Sequence, residues 1–319
     1  MAFLRILVCA TLILISRSGL AASDPPNSFN SYVLEAVSEL TARQNDSGYD
    51  ITKAYARAVP YAGGALRPSQ PPLTMCVAAV AEVMVVAINK YVATTGDQSA
   101  YSHLPVDGWN RMRPTDIRSH IWVDPRLGSN GTADAMVTFG IGKRVLFKEL
   151  TPGSFINLNR NPRPGGRATG HSVVFLGFLD KDGNVLQDYG PSVAGFKYFS
   201  ANGAGMFPNG GFYERYAFFN KPNGTPYCPN LAGKKTDCYI IRSDSQKYLN
   251  TGYMLNPRQW DIAARNRNLA DLQRRLFEAT QTRGPTYLNI QSGTNFDQFV
   301  EQLGQQDTMV LNPIFNRSE

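Results

Sequence analysis

Apolar positions fall in three patterns along this 319-residue chain, and each pattern predicts a different kind of element. Tyr32, Val33, Leu34, Ala36, Val37 and Leu40 recur at helical spacing, predicting a helix over 28–43 that Asn27 or Ser28 caps and Asn45-Asp46-Ser47-Gly48 ends. From Thr74 to Tyr91 the chain is almost uniformly apolar, with Glu82 as its one charge before Lys90. That is the mark of a central helix surrounded on most sides. Pro68, Pro71 and Pro72 forbid helix until just before Cys76, and Gly96 stops it. His171 to Leu179 is instead β-branched and aromatic. A turn over Asp180–Asn184 and a return over Val185–Tyr189 complete a predicted hairpin.

Weaker signals fill in the remainder. Strands are expected at 147–150 and 155–158 on either side of Thr151-Pro152-Gly153, at 195–199 and 212–219 around a Gly/Asn-rich stretch, and at 239–242. A short helix is expected over 133–139, and a long amphipathic one over 257–280 with Trp260, Ile262, Ala263, Leu269, Leu272, Leu276 and Phe277 on its apolar side. Residues 97–130 are polar and irregular, and no repeat is visible. Helices and strands in this order describe an α+β chain, and 43% apolar content supplies a core for one large domain or two modest ones.

The N-terminus changes the compartment. Met1–Arg5 is a short basic start, Ile6–Ile15 is an apolar run too short to span a bilayer, and small residues follow to Ala22, so 1–22 reads as a secretory signal. No later segment is read as crossing a membrane, and the mature chain is expected to be secreted or periplasmic. Removing the signal takes Arg5 and Arg17 from 32 basic residues and leaves 25 acidic ones, for a charge of +5. That modest excess suits non-specific attraction to anionic envelope polymers, with no motif that would point to nucleic acid.

Export also sorts the cysteines. Cys9 leaves with the signal. Cys228 and Cys238 can close a small loop around Gly233 and Lys234, so a disulfide is expected; metal ligation is the alternative, with no His or second cysteine pair beside it. Cys76 is left without a structural partner.

A thiol at a helix start is the arrangement that makes a thiolate, because the positive end of the helix dipole lowers its pKa and a nearby imidazolium lowers it further. His171, at the edge of the predicted hairpin, is the candidate base, while His103 and His120 lie in irregular surroundings. The imidazole needs a group to hold its tautomer. Asp188 on the return strand is the first choice, ahead of Gln187 and Asn202. The backbone N–H of Cys76, and the side chain of Gln70 six residues earlier, are candidate donors to an oxyanion.

Cys76 at a helix start, Leu150-Thr151-Pro152-Gly153-Ser154-Phe155-Ile156, and Gly170-His171-Ser172-Val173-Val174-Phe175-Leu176-Gly177 together resemble the papain-like cysteine hydrolases. The pattern is nearest to the bacterial cell-wall amidases of the NlpC/P60 and CHAP type. Ser154 stands where those families carry Asp. The resemblance covers about Gln70 to Phe219. It implies a papain-like fold with a central helix packed on an antiparallel sheet, a catalytic domain over 23–225, and a C-terminal extension over 226–319 holding the disulfide loop and the long helix. It further implies a Cys76–His171–Asp188 hydrolase of amide bonds in peptidoglycan stem peptides or cross-links, working without a metal or organic cofactor. A secreted cysteine protease, a transglutaminase-like acyltransferase and a non-catalytic exported binding domain are the alternatives. In the last, Cys76 is simply a buried small hydrophobe.

Overall fold

The computed structural model describes residues 28–104, 106, 110, 132–159, 170–203, 210–238, 240–245, 249–268 and 274. The expected signal peptide, His120 and most of the expected long C-terminal helix lie outside these residues.

Helix α1 spans Asn30–Ala42, within the range its periodicity predicts, and buries Val33, Ala36, Val37 and Leu40. Those positions form one stripe, which packs on helix α2, Cys76–Thr95. Met75 is extended and its side chain accepts no capping hydrogen bond, and the helix begins at the cysteine itself. It ends where Gly96 takes a left-handed conformation, φ 75°, and its N–H bonds the carbonyl of Val92 at 2.8 Å. Glycine accepts that geometry without a Cβ penalty. By length and apolar content α2 would suffice to cross a membrane, contrary to the sequence expectation, but 83% of its most apolar stretch is buried within the protein. It is a core helix.

Among the described residues, eight strands form one sheet. β5 (Gly142–Arg144), β6 (Phe155–Asn159), β7 (Gly170–Leu179), β9 (Gly195–Gly203), β10 (Gly210–Phe218), β11 (Thr236–Asp237) and β12 (Leu249–Met254) run in the order β11-β10-β9-β7-β6-β12-β5, and β8 (Val185–Leu186) pairs β7. All these pairings are antiparallel except β10–β11. Two small sheets stand apart: β1 (Gly48–Tyr49) beside β4 (Leu73–Thr74), and β2 (Val59–Tyr61) with β3 (Gly64–Leu66).

The architecture is thus α+β with a mostly antiparallel sheet. The boundary expected at residue 225 does not divide the sheet, because β12 from the supposed extension inserts between β6 and β5. The segment 147–150 forms a 3₁₀ turn over Phe147–Glu149 instead of a strand, and 240–242 is irregular. The late helix begins at 262, after a 3₁₀ turn at Pro257–Gln259, and is described to 268. The return strand of the predicted hairpin is only two residues long, so the ladder partners of β7 along most of its length are β6 and β9. Gly177 marks a register shift in β7: a Cβ there would stand 2.8 Å from the Val185 side chain.

Strand alternation gives the sheet two covered faces. Phe155, Val174, Phe199, Ala201 and Phe212 join the core built around α1, α2 and helix α3 (Thr132–Thr138). Ile156, Leu158, Val173, Phe175, Phe196 and Tyr198 belong to a second core on the opposite face, centred on Phe147. The Phe147 ring meets those of Phe175, Phe178, Phe196 and Phe219 edge-on at 5.5 to 6.3 Å.

Candidate active site

The chain before Cys76 is carried to one end of the sheet by β4. Gly48 N–H donates to the Pro72 carbonyl at 2.8 Å and Asp50 N–H to that of Thr74 at 3.1 Å, which fixes β4 alongside β1. β1 in turn rests on the β9–β10 tip. A Cβ on Gly210 would stand 2.6 Å from Tyr49, and Phe212 N–H donates to Ser47 Oγ at 2.9 Å. The start of α2 is therefore delivered to the end of the sheet where β9 finishes and, by antiparallel pairing, β7 begins. Cys76 and His171 come to the same end.

His171 is 1% exposed. Its Nε2 lies 3.1 Å from Asn202 Oδ1, and its ring stands edge-on to Tyr198 with centroids 5.8 Å apart. Asn202 Nδ2 donates to the Ser200 carbonyl at 3.0 Å, which sets the amide with its oxygen toward the imidazole. An acceptor at that position puts the imidazole proton on Nε2 and makes Nδ1 the basic nitrogen. The Tyr198 hydroxyl stands 3.2 Å from both Asn202 Oδ1 and Asp237 Oδ2, extending the network to β11. Cys228 and Cys238 stand at disulfide distance, Cα atoms 5.0 Å apart, and anchor the loop that carries Asp237.

Asn202 therefore holds the position expected of Asp188. Asp188 and Gln187 are exposed residues beyond β8, and β8 pairs with β7 only at Phe178 and Leu179. Those partners lie about 23 Å along the strand from His171 at ~3.3 Å per residue. A short return strand cannot bring its carboxylate back to the histidine. Gln70 is exposed, and its carbonyl accepts the Leu73 N–H at 2.9 Å in the turn leading to β4.

Cys76 is the free cysteine of the described residues and is 8% exposed, packed in the helix-side core. His171 faces the other way: its cross-strand partner Leu158 and its ring partner Tyr198 both belong to the second core. The structure thus gathers thiol and imidazole at one end of the sheet but on opposite sides of it. Between them the β7–β9 ladder stops at Val174–Phe199. Beyond that pair the strands are tied by side chains, the His171–Asn202 contact and Ser200 Oγ donating to the Ser172 carbonyl at 2.7 Å. The histidine itself stays paired with Leu158 of β6.

His103, the other described histidine, is buried against Trp260, with ring centroids 5.2 Å apart and its pKa lowered chiefly by burial. Among the described residues, no group of three or more His, Cys, Asp or Glu could hold a metal ion. Tyr198 and Asp237 escaped the sequence reading. The alternation Tyr198-x-Ser200-x-Asn202 was the available signal, a polar run on one face of a strand beside the histidine strand. No protein-family model, curated protein or solved structure matches the chain.

Proposed function

We propose that the protein is an exported cysteine hydrolase of amide bonds in which Cys76 is the nucleophile, His171 the base and Asn202 the group that orients the imidazole. The observation that carries this reading is the His171 Nε2–Asn202 Oδ1 contact, 3.1 Å long, at the end of the sheet where α2 starts on Cys76. With the proton on Nε2, Nδ1 is the basic nitrogen that takes the thiol proton. The thiolate then attacks the carbonyl carbon, the C–N bond breaks as the imidazolium protonates the departing amine, and water hydrolyses the thioester. The Cys76 backbone N–H at the helix start is the oxyanion donor, with Gln70 as the candidate second donor. Thiol and imidazole lie on opposite faces of the sheet, so approach of base to thiol requires His171 to leave the face on which it meets Asn202. The resemblance to bacterial wall amidases makes peptidoglycan stem peptides or cross-links the substrate class, and a protein substrate or an amine acceptor the alternatives.

A non-catalytic exported domain is the second reading, and strand alternation favours it by turning His171 away from the core that holds Cys76. One pair of measurements separates the two. Iodoacetamide at neutral pH must label Cys76 of the folded hydrolase. Mass analysis of muropeptides then shows new free termini with the wild type and none with Cys76→Ala. Labelling without new muropeptide products transfers the test to peptide substrates. An unreactive Cys76 ends the hydrolase reading altogether.

A further inference from the structure

Glu82 is the charge that the apolar helix had no evident reason to carry. It lies on α2 six residues after Cys76 and is 0% exposed. Its Oε1 accepts the Ala56 N–H at 2.7 Å and the Thr74 hydroxyl at 3.3 Å. Among the described residues Oε2 has no hydrogen-bond partner, nor does the Tyr55 hydroxyl, itself on a fully buried ring. One carboxyl therefore ties together α2, the strand residue two positions before Cys76, and the loop at 54–56.

That loop is under strain and is held from both sides. Tyr55 has φ 61°, left-handed backbone that a bulky residue adopts only when its surroundings impose it. Ser69 supplies the other hold, bonding the Ala54 carbonyl through its N–H at 3.0 Å and accepting the Ala54 N–H on Oγ at 2.9 Å.

We propose that Glu82 is a positioning residue for Cys76, clasping the residues before the thiol through Thr74 and the 54–56 loop, so that access to the thiol follows the protonation of this carboxyl. The inference concerns the exposure of Cys76 and stands independently of the hydrolase reading. Burial, the larger influence, raises the Glu82 pKa to about 8, against the lowering effect of the Ala56 N–H, Arg57 and Thr74. The titratable and charged groups bearing on it are Tyr55 and Arg57 of the loop, and Arg57 is paired with Glu39 of α1 at 2.6 Å. From β4 it receives only the Thr74 hydroxyl. Neutral, the carboxyl fits its dry site. Ionised, it is stabilised by opening of the clasp, which brings water to Oε2.

The linkage sets the size of the effect. Where opening hydrates Glu82, the open share grows about tenfold per pH unit from pH 4.5 and levels off at about 8. Glu82→Gln holds the neutral form at every pH. The test is the rate of Cys76 alkylation by iodoacetamide from pH 6 to 9, taken as the ratio of wild type to Glu82→Gln so that thiol ionisation cancels, with Glu35→Gln on the exposed face of α1 as control. The ratio is expected to rise by one to two orders of magnitude between pH 6 and 8 and then flatten, while the control stays parallel to wild type. A flat ratio overturns the proposal. Hydrogen exchange of the wild-type Ala56 amide gives a readout that needs neither the variant nor a reactive thiol: its protection must fall between pH 6 and 8 after correction for intrinsic exchange, and unchanged protection also overturns the proposal. A hydrolase failure appears differently, as lost turnover with the exchange step intact.

Discussion

Replacing Glu82 by Gln should stabilise this protein at neutral pH and not at acid pH. In the folded chain burial pushes this carboxyl from an ordinary 4.5 to about 8. Between those values the folded state keeps a proton that the unfolded chain has released. The stability tied to that proton is complete below 4.5, falls as pH rises, and is lost above about 8. At about 1.4 kcal/mol per pH unit the loss is about 3 kcal/mol by pH 7 and about 5 kcal/mol above pH 8. Gln matches the neutral carboxyl in shape, keeps an acceptor for the Ala56 N–H and Thr74 hydroxyl, and carries no proton to lose. The Tyr55 phenol, raised well above 10 by burial, stays neutral throughout this range. Urea unfolding of both proteins at pH 5, 7 and 9 with the disulfide intact measures the difference. Stabilities within about 1 kcal/mol of each other at pH 5 should separate by several kcal/mol at pH 9. Curves that remain parallel from pH 5 to 9 would refute the account of Glu82 as a carboxyl that is neutral because it is buried.

Three further outcomes follow from particular contacts. Asn202→Ala removes the acceptor of His171 Nε2 and, in the proposed hydrolase, should lower turnover by about a hundredfold and shift the ¹⁵N tautomer signature of His171, whereas Asp188→Ala should change neither; equal effects of the two would return Asp188 to the site. Opening the Cys228–Cys238 loop with paired serines should cost about 2–4 kcal/mol in urea unfolding, and a variant as stable as wild type would show that β11 needs no covalent anchor. Phe147→Ala, at a ring 2% exposed and surrounded by four phenylalanines, should cost about 3–5 kcal/mol, and a loss under 1 kcal/mol would mean that the second core closes over the gap.

Where the chain announces a boundary with backbone chemistry, the sequence is easily read. The prolines before Cys76 and Gly96 after the helix leave α2 little choice of ends, and the observed Cys76–Thr95 follows from them. β12 carries no such signal. Its Asn250 and Thr251 are polar, yet both are buried, because Asn250 Oδ1 caps the Ala133 N–H of α3 at 2.9 Å and Thr251 Oγ1 donates to the Val145 carbonyl. A strand whose polar side chains are satisfied by distant backbone looks like a loop in its own sequence. The expected hairpin is present, and only the length of its return strand departs from expectation, for a related reason. A turn at Asp180–Asn184 is real, with Asp180 accepting the Asn184 N–H at 2.9 Å, but a turn fixes only where the chain reverses and not how far the pairing runs.

The direction of His171 is the deeper case. In a half-buried strand the polar positions reveal which side faces water, and a one-residue shift in register would be visible at once. Gly170–Leu179 has no such contrast, since the sheet is covered on both faces and nearly every residue of β7 is buried. Nothing local tells whether an odd or an even position looks toward α2. That is decided by partners far along the chain: Phe155 opposite Val174 on the helix side, and Leu158 opposite His171 on the other. Sequence spacing can therefore bring a cysteine helix and a histidine strand to the same end of a sheet and still leave the side chains on different faces. The end of β7 beyond Val174–Phe199 then becomes decisive, because there the β7–β9 ladder has ended and Asn202 contacts the ring. For the imidazole to serve Cys76 it must change faces, and the His171–Asn202 and Ser200–Ser172 bonds are among those that hold this end of β7 as it stands.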